Sequence, residues 1–411
     1  MKRYLCSIII GMVVILSIGT YYVKVASSAS SLPKYTFKTL EGSDKELDPV
    51  IINATLENGS FYESLTFESN TTTYASERSY LENLYGRQDH QIERLVKEHR
   101  AFMRGKDSIS SLYEDDDFLA YAWVNSDITN NGKMDAEFDI GLLEKKDEEE
   151  TSFQIELPDQ ERIMNADVRD VQLVHSKLQV LTMNDVNSSD DKQTKEVHLY
   201  TIDLANKKVL TDKTLLSETF TYPNQVDFEM PIDIAPSQPN NMVLISVIKG
   251  VNHEDGPYEE KLNESKLLSY NYETEKVETV KLPKRESLSL GMVESGYVDG
   301  KNLYLIDKKS DNYRIKMFDL SSQTLTNDME LDLAVNKKEQ NFAAIKNGRV
   351  YFLLGNGVDQ MDNLTYKPAK LLIADIKTGK TLYQGETVMQ ATNKKNGRKF
   401  GIFIDELEVK Q

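Results

Sequence analysis

Hydrophobic positions along this chain alternate over short runs, and turn residues punctuate the runs. The clearest stretch is Asn341 to Val388. Phe342-Ala-Ala-Ile-Lys346 is a short apolar run, and Asn347-Gly348 follows, a pair suited to the two left-handed positions of a tight hairpin. Arg349 to Leu354 is β-branched, aromatic and apolar, as a buried strand requires. Lys370 to Ile376 is a third strand, Lys377-Thr-Gly-Lys380 a turn, and Thr381 to Val388 a fourth strand. Four strands joined in chain order make a meander. Alone, such a sheet leaves both faces wet, so it needs neighbours of the same kind.

Weaker copies precede it. Asn302–Asp307 leads to Tyr313–Leu320, and Met242–Ile248 to Lys266–Tyr272. Leu178–Thr182 leads to Val197–Leu204, and Phe118–Val124 to Ala136–Leu143. Equivalent third strands recur about every 45 to 65 residues, the range of propeller blades with inserted loops. Several end in Asp-Leu or Asp-Ile before a tight polar turn.

Leu372-Ile-Ala-Asp-Ile-Lys-Thr-Gly-Lys-Thr-Leu-Tyr383 resembles the repeat of the quinoprotein-like (PQQ-like) and WD40-like β-propellers. The likeness runs from about Asp107 to Val388 and is closest in this last copy. It implies an all-β chain, a propeller of about six, or seven, four-stranded blades. Tyr383 stands where those repeats carry a docking tryptophan, and the one Trp of the chain is Trp123, so the resemblance implies no quinone site.

The two ends add to this picture. Tyr35–Leu40, Val50–Leu56 and Phe61–Phe67 read as strands, and so do Lys399–Ile404 and Glu406–Val409. A blade shared between the two ends would account for strands that lack blade mates. Glu77 to Arg104 breaks the alternation. Leu81, Leu84, Tyr85, Ile92, Leu95, Val96, His99, Phe102 and Met103 fall near helical spacing, with Gly86 interrupting. The expectation is a helical insertion over 77–104, packed on the propeller or docking a membrane partner.

Residues 1–28 read differently from all the rest. Lys2-Arg3 precede an uncharged run from Tyr4 to Val23, and Lys24 follows. About 20 apolar residues are enough to cross a bilayer as a helix. Basic residues ahead of the run keep the N-terminus in the cytoplasm. The expectation is a signal anchor, a transmembrane helix that leaves residues 29–411 outside the cytoplasm. The alternative is a signal peptide cleaved near Ala26-Ser-Ser-Ala-Ser30, which would make the protein secreted.

Charge and chemistry narrow the function classes. The net charge of −17 is spread along the chain and disfavours nucleic acid. The only cysteine, Cys6, lies in the N-terminal run, so residues 29–411 have neither disulfides nor thiolate ligands. The five histidines, at 90, 99, 175, 198 and 253, show no metal-ligand spacing, and no nucleophile elbow or phosphate loop appears. His198 sits in a strand beside Leu199-Tyr200, where it reads as a satisfied core residue or an inward-facing functional one. Asn-X-Ser/Thr triplets occur repeatedly, as at Asn53, Asn70 and Asn363.

One stretch has ligand chemistry. Asp127-Ile-Thr-Asn-Asn-Gly-Lys-Met-Asp135 fits part of a calcium loop: Asp127, Thr129, Asn131 and Asp135 would supply oxygens, and Gly132 the turn. Phe138 stands where an EF-hand places its bidentate Glu, and the competing expectation is a plain hairpin tip. The acidic runs Glu114–Asp117 and Asp147–Glu150 flank it and are expected to be solvated. The expected function is a membrane-anchored extracytoplasmic propeller that binds an envelope protein, a membrane protein or a cell-wall polymer. The alternative is a carbohydrate-active hydrolase or lyase with carboxylates lining a channel.

Overall fold

The computed structural model describes residues 11–13, 16–17, 19–20 and 32–410, apart from 59–60, 79–88, 129–133, 188–191, 231–238, 253–258, 262–263, 281–292, 300, 310–311, 332, 334–339, 357–367 and 391–400. The chain divides into two compact units. The first is Met1–Arg87, Lys309–Tyr313 and Glu330–Gln411, and the second is Gln88–Lys308 and Arg314–Met329.

The described strands are almost all antiparallel meanders. In chain order they are β1 (Lys34–Gly42), β2 (Val50–Asn58), β3 (Phe61–Glu68), β4 (Thr71–Tyr74), β5 (Leu112–Glu114), β6 (Phe118–Ile128), β7 (Met134–Glu144) and β8 (Glu149–Glu156). Then come β9 (Ile163–Val174), β10 (Lys177–Val186), β11 (Lys192–Asp203), β12 (Lys208–Thr221), β13 (Asn224–Glu229), β14 (Met242–Val251), β15 (Glu259–Glu260), β16 (Lys266–Asn271) and β17 (Lys276–Val280). The remainder are β18 (Val293–Asp299), β19 (Asn302–Lys309), β20 (Asn312–Asp319), β21 (Thr324–Glu330), β22 (Gln340–Lys346), β23 (Arg349–Asn356), β24 (Lys370–Asp375), β25 (Thr381–Gln390) and β26 (Gly401–Val409).

They form six blade-like sheets. Four strands in chain order build the sheets β5–β8, β9–β12 and β18–β21; β13-β14-β16-β17 builds another, with β15 on β14. The sheet of the last repeat, β22–β25, gains β1 as a fifth strand, and β26 joins β2, β3 and β4. The two ends of the chain thus share sheets twice over. The expected blade shared between the ends is the β26-β2-β3-β4 sheet. The fifth strand β1 was not foreseen, and among the described residues the N-terminal strands form no blade of their own.

A repeated turn explains the Asp-ending third strands. Asp375 Oδ1 accepts from the backbone N–H of Thr378 at 2.8 Å and from its hydroxyl at 2.7 Å. Asp203, Asn271 and Asp319 accept in the same way from Asn206, Thr274 and Ser322. Four residues after each acceptor the backbone turns left-handed, at Lys207, Glu275, Gln323 and Gly379. A short polar acceptor here satisfies backbone donors that the departing strand leaves open. Asn347 and Gly348 take positive φ values of 51° and 70°, closing β22 onto β23 in a two-residue hairpin.

Each unit's core lies between sheets packed face to face. In the first unit Tyr35, Ile52, Phe67, Tyr351, Leu371 and Tyr383 share one buried cluster. In the second, the β9–β12 sheet is covered on both faces. Val168, Val180 and Tyr200 pack with Ala122, Phe138 and Ile140 of the preceding sheet, and Leu181, Val197 and Leu199 with Val243, Ile245 and Tyr270 of the next. Each large apolar side chain so buried contributes about 1.5–3 kcal/mol. Outer strands read differently: β17 and β21 are exposed at nearly every position.

The described helix of the insertion is shorter than 77–104. It is α1 (His90–Glu98), N-capped by the Asp89 side chain, which accepts from Gln91 N at 2.7 Å. Its Ile92 and Leu95, with Phe102 and Met103 beyond it, bury against Leu112, Leu119, Tyr121 and Leu143. Leu81, Leu84 and Tyr85 lie outside the described residues. Among the described residues no helix is long and apolar enough to cross a membrane. Most of the expected anchor over 1–28 lies outside them, and its described positions from 11 to 20 are helical.

Candidate functional site

The expected calcium loop falls at the tip of the β6–β7 hairpin. Asp127 and Asp135 are direct cross-strand partners there, both exposed, and Trp123–Asp139 and Val124–Phe138 pair farther down. Thr129 and Asn131 lie outside the described residues. Two carboxylates facing each other repel, which opposite-charge or metal-bridged neighbours would relieve.

The acidic run ahead of β6 is not simply solvated. Glu114 is buried, and Arg94 of α1 donates to both its oxygens while Lys145 Nζ donates to Oε1 at 2.7 Å. Burial raises its pKa, but the Arg94 and Lys145 hydrogen bonds outweigh that and hold it below the usual range. Asp115 Oδ1 accepts from the N–H of Asp117 at 2.9 Å and of Phe118 at 2.6 Å, turning the chain into β6. The run looks solvated in sequence because four successive acids carry no sign of the distant cations that pair with the first. The second run, Asp147–Glu150, is exposed as expected.

His198 lies in β11 and is 4% exposed. Its Nδ1 is 2.7 Å from Asp212 Oδ1 in β12, and its Nε2 is 3.0 Å from Glu196 Oε2 two residues back on the same face. The Ser217 hydroxyl donates to Glu196 Oε1 at 2.9 Å, and Arg162 Nη2 stands 3.4 Å from Oε2. The ring stacks on Tyr200, centroids 5.7 Å apart, and Tyr200 meets Phe138 edge-on at 4.9 Å. Burial alone would lower the imidazole pKa; hydrogen bonds to Asp212 and Glu196 outweigh it and raise it. For Glu196 burial raises the pKa, and the bonds from His198 and Ser217 bring it below the usual carboxylate range. Ser217 is turned toward Glu196 rather than toward the imidazole, so the set is not arranged as a nucleophile with its base.

On the opposite face of the same sheet lies a second polar group. Asp170 of β9 is 1% exposed. Its Oδ2 accepts from Tyr272 Oη at 2.5 Å, and its Oδ1 from Gln172 Nε2 at 2.8 Å. Gln172 Oε1 in turn accepts from Asn240 N at 3.0 Å, at the entry to β14. Burial pushes the Asp170 carboxyl up to about 6 against the pull of these donors. Arg169-Asp170-Val171-Gln172 looks in sequence like an ordinary alternating strand, so nothing marked Asp170 as buried. Only the partner sheet's Tyr272 gives it meaning.

The remaining candidates are dispersed. His90 opens α1, His99 closes it, His175 occupies a left-handed turn position, and His253 lies outside the described residues. Asn53 is 3% exposed and bonded to Glu406 and Thr66, so that triplet is closed to modification in the folded chain. Asn70 accepts from the Thr36 hydroxyl, and Asn363 lies outside the described residues.

No protein-family model matches the chain, and no curated protein matches it. Among solved structures, the polysaccharide lyase Uly1 is 9% identical at a TM-score of 0.38, over 72% of this chain and 57% of its own. An oligogalacturonate lyase in complex with manganese is 13% identical at 0.34, over 85% of each chain. The Dos1 propeller is 9% identical at 0.28, over 69% of this chain and 84% of its own. The chain spans less than two thirds of the length of Uly1. Likenesses at this level carry no chemistry across, and the architecture rests on the chain's own strand pairing.

Proposed function

We propose that the six sheets are the blades of a membrane-tethered, extracytoplasmic β-propeller that binds an envelope protein, a membrane protein or a cell-wall polymer. One observation carries this reading: the repeated four-strand sheet, five times continuous and once completed by strands from the two ends. A linear stack of such sheets leaves two apolar faces wet, and closure removes them. The tether rests on the uncharged run Tyr4–Val23 between Lys2-Arg3 and Lys24. A tether confines encounters to the membrane surface and raises effective concentration.

Binding is favoured over catalysis by where the displaced protonation equilibria lie. His198, Glu196 and Asp170 are bonded within or between strands of the fold, and Glu114 to Arg94 of α1 and to Lys145. They hold the architecture, and the exposed charges on turns and outer strands are the ones that meet a partner. Membrane fractionation with protease treatment of intact cells tests placement: residues 29–411 should pellet with membranes and be digested from outside, and a variant lacking 1–28 should not. Crosslinking of the tethered protein in intact cells should yield a discrete adduct. Release of oligosaccharides from purified wall polymer by residues 29–411 would replace the binding reading with the hydrolase or lyase one. A calcium titration read by thermal melting tests the Asp127, Thr129, Asn131 and Asp135 loop: calcium should raise Tm in wild type and not in Asp135→Asn. No rise in either leaves a plain hairpin tip.

A further inference from the structure

The Glu196–His198–Asp212 chain has a protonation requirement in its geometry. Each ring nitrogen of His198 lies within hydrogen-bond distance of a carboxylate oxygen, at 2.7 Å and 3.0 Å. A neutral imidazole has one N–H, and its other nitrogen is an acceptor. Between two ionised carboxylates a neutral ring would set a lone pair against an oxygen at one end. Both contacts are satisfied together when the ring carries both protons.

The surroundings fix the charge balance. Glu196 and Tyr200 face the ring from its own strand and Asp212 faces it from β12, while the Ser217 hydroxyl, also from β12, donates to Glu196. Arg162, from the turn before β9, reaches Glu196 at 3.4 Å, and Asp159 of the same turn acts on Tyr200 through space. Thr182 and Asn184, buried and neutral, share the face from β10, and Phe138 covers Tyr200 from the preceding sheet. Within the bonded set, Glu196, Asp212, Arg162 and a doubly protonated His198 sum to zero, and Asp159 beside Tyr200 adds further negative charge. Loss of the ring proton leaves one uncompensated negative charge in a mostly buried group, a costly state.

The position gives this chemistry a consequence. β12 is the outermost strand of its sheet, and its ladder there runs only to β11. That ladder slips in register between Val197 and His198 and again between Thr201 and Ile202. The side-chain chain crosses from β11 to β12 beside the first slip, where backbone pairing is interrupted. We propose that Glu196, His198 and Asp212 form a proton-loaded latch that fastens the long outer strand β12 to its sheet and releases it as the surroundings turn alkaline. The ligand of this site is the proton, and the element it biases is one strand.

The sign follows from linkage. A histidine whose folded-state pKa is raised contributes stability that is full below its unfolded value and is lost as pH rises through the folded one. The test uses the full chain in detergent, with two readouts. Nitrogen NMR of the His198 ring should show both nitrogens protonated at neutral pH. Amide hydrogen exchange, corrected for intrinsic rates, should show protection over residues 208–221 falling up to about tenfold per pH unit above the folded pKa. Protection of β9 and β10 should change less. In His198→Gln that dependence should vanish from 208–221. A ring neutral at about pH 6, or the same pH dependence of β12 in wild type and His198→Gln, would overturn the latch. Should His198→Gln fail to fold, the ring titration of the wild type decides alone.

Discussion

At the scale of single residues, two close contacts make firm demands. Gly385 lies beneath the Tyr383 ring, where a Cβ would stand 2.1 Å from Tyr383 Oη and 2.7 Å from Cζ. Tyr383 is fully buried in the first unit's core. Gly385→Ala should therefore displace the ring and cost about 1–3 kcal/mol, as overpacking does, read as a lower denaturant midpoint with an unchanged slope. The second contact is Tyr272 on Asp170. The folded pKa of Asp170, about 6, lies above its unfolded value of 3.8, so the folded state holds the proton more tightly. Stability from this group therefore falls as pH rises from 3.8 to about 6 and is level above that. Tyr272→Phe removes a donor to the charged form. It should cost about 1.5–3 kcal/mol at neutral pH and less below the Asp170 titration, measured by urea unfolding at several pH values. Asp170→Asn should abolish the fall. Tyr383 was visible in the sequence as the aromatic of the repeat. Asp170 was not, because burial of one polar residue in an alternating strand depends on a tyrosine about a hundred positions away.

At the scale of elements, local chemistry was the legible part. The Asn347-Gly348 hairpin and the Asp-ended third strands were readable because turn type is set by two to four adjacent residues. The insertion was readable as amphipathic, and its described helix buries Ile92 and Leu95 on the β5–β8 sheet. That favours packing over docking for this face of α1. Leu95→Ala should cost about 2–5 kcal/mol and lower Tm, since Leu95 is fully buried. If Leu95 instead served only a partner, the melting point would hold and crosslinking would fail. The edge assignments were illegible. Whether β1 extends its own sheet or another is decided by pairing with β25, from Lys34↔Gln390 to Gly42↔Tyr383, which no local pattern encodes.

At the scale of the molecule, a series of about six similar sheets was legible, with a seventh left open, because the repeat period survives variation in the loops; the strand pairing of the two ends gives six among the described residues. The chemistry was less legible, because the interacting groups are polar residues drawn from different strands and sheets. Removing residues 401–411 tests the architecture: it uncovers the β2 edge along its length and strips Ile404, Leu407 and Val409 from the core. The truncated chain should be digested rapidly within 50–74 and associate through the open edge, as limited proteolysis and light scattering would report. Retention of a compact, monomeric, protease-resistant chain would show that this sheet stands without its last strand.

The pairing of β2 with β26 joins Val50 to Val409 and Glu57 to Gly401. A nascent chain therefore holds β2, β3 and β4 ready with one berth empty until residues 401–409 emerge. Contacts that span most of a polypeptide form late and slowly. On the proposed export route, a chain threaded outward from its N-terminus would meet the outside world as an unfinished fold, and whatever shields an open strand edge there would have to act until β26 arrives.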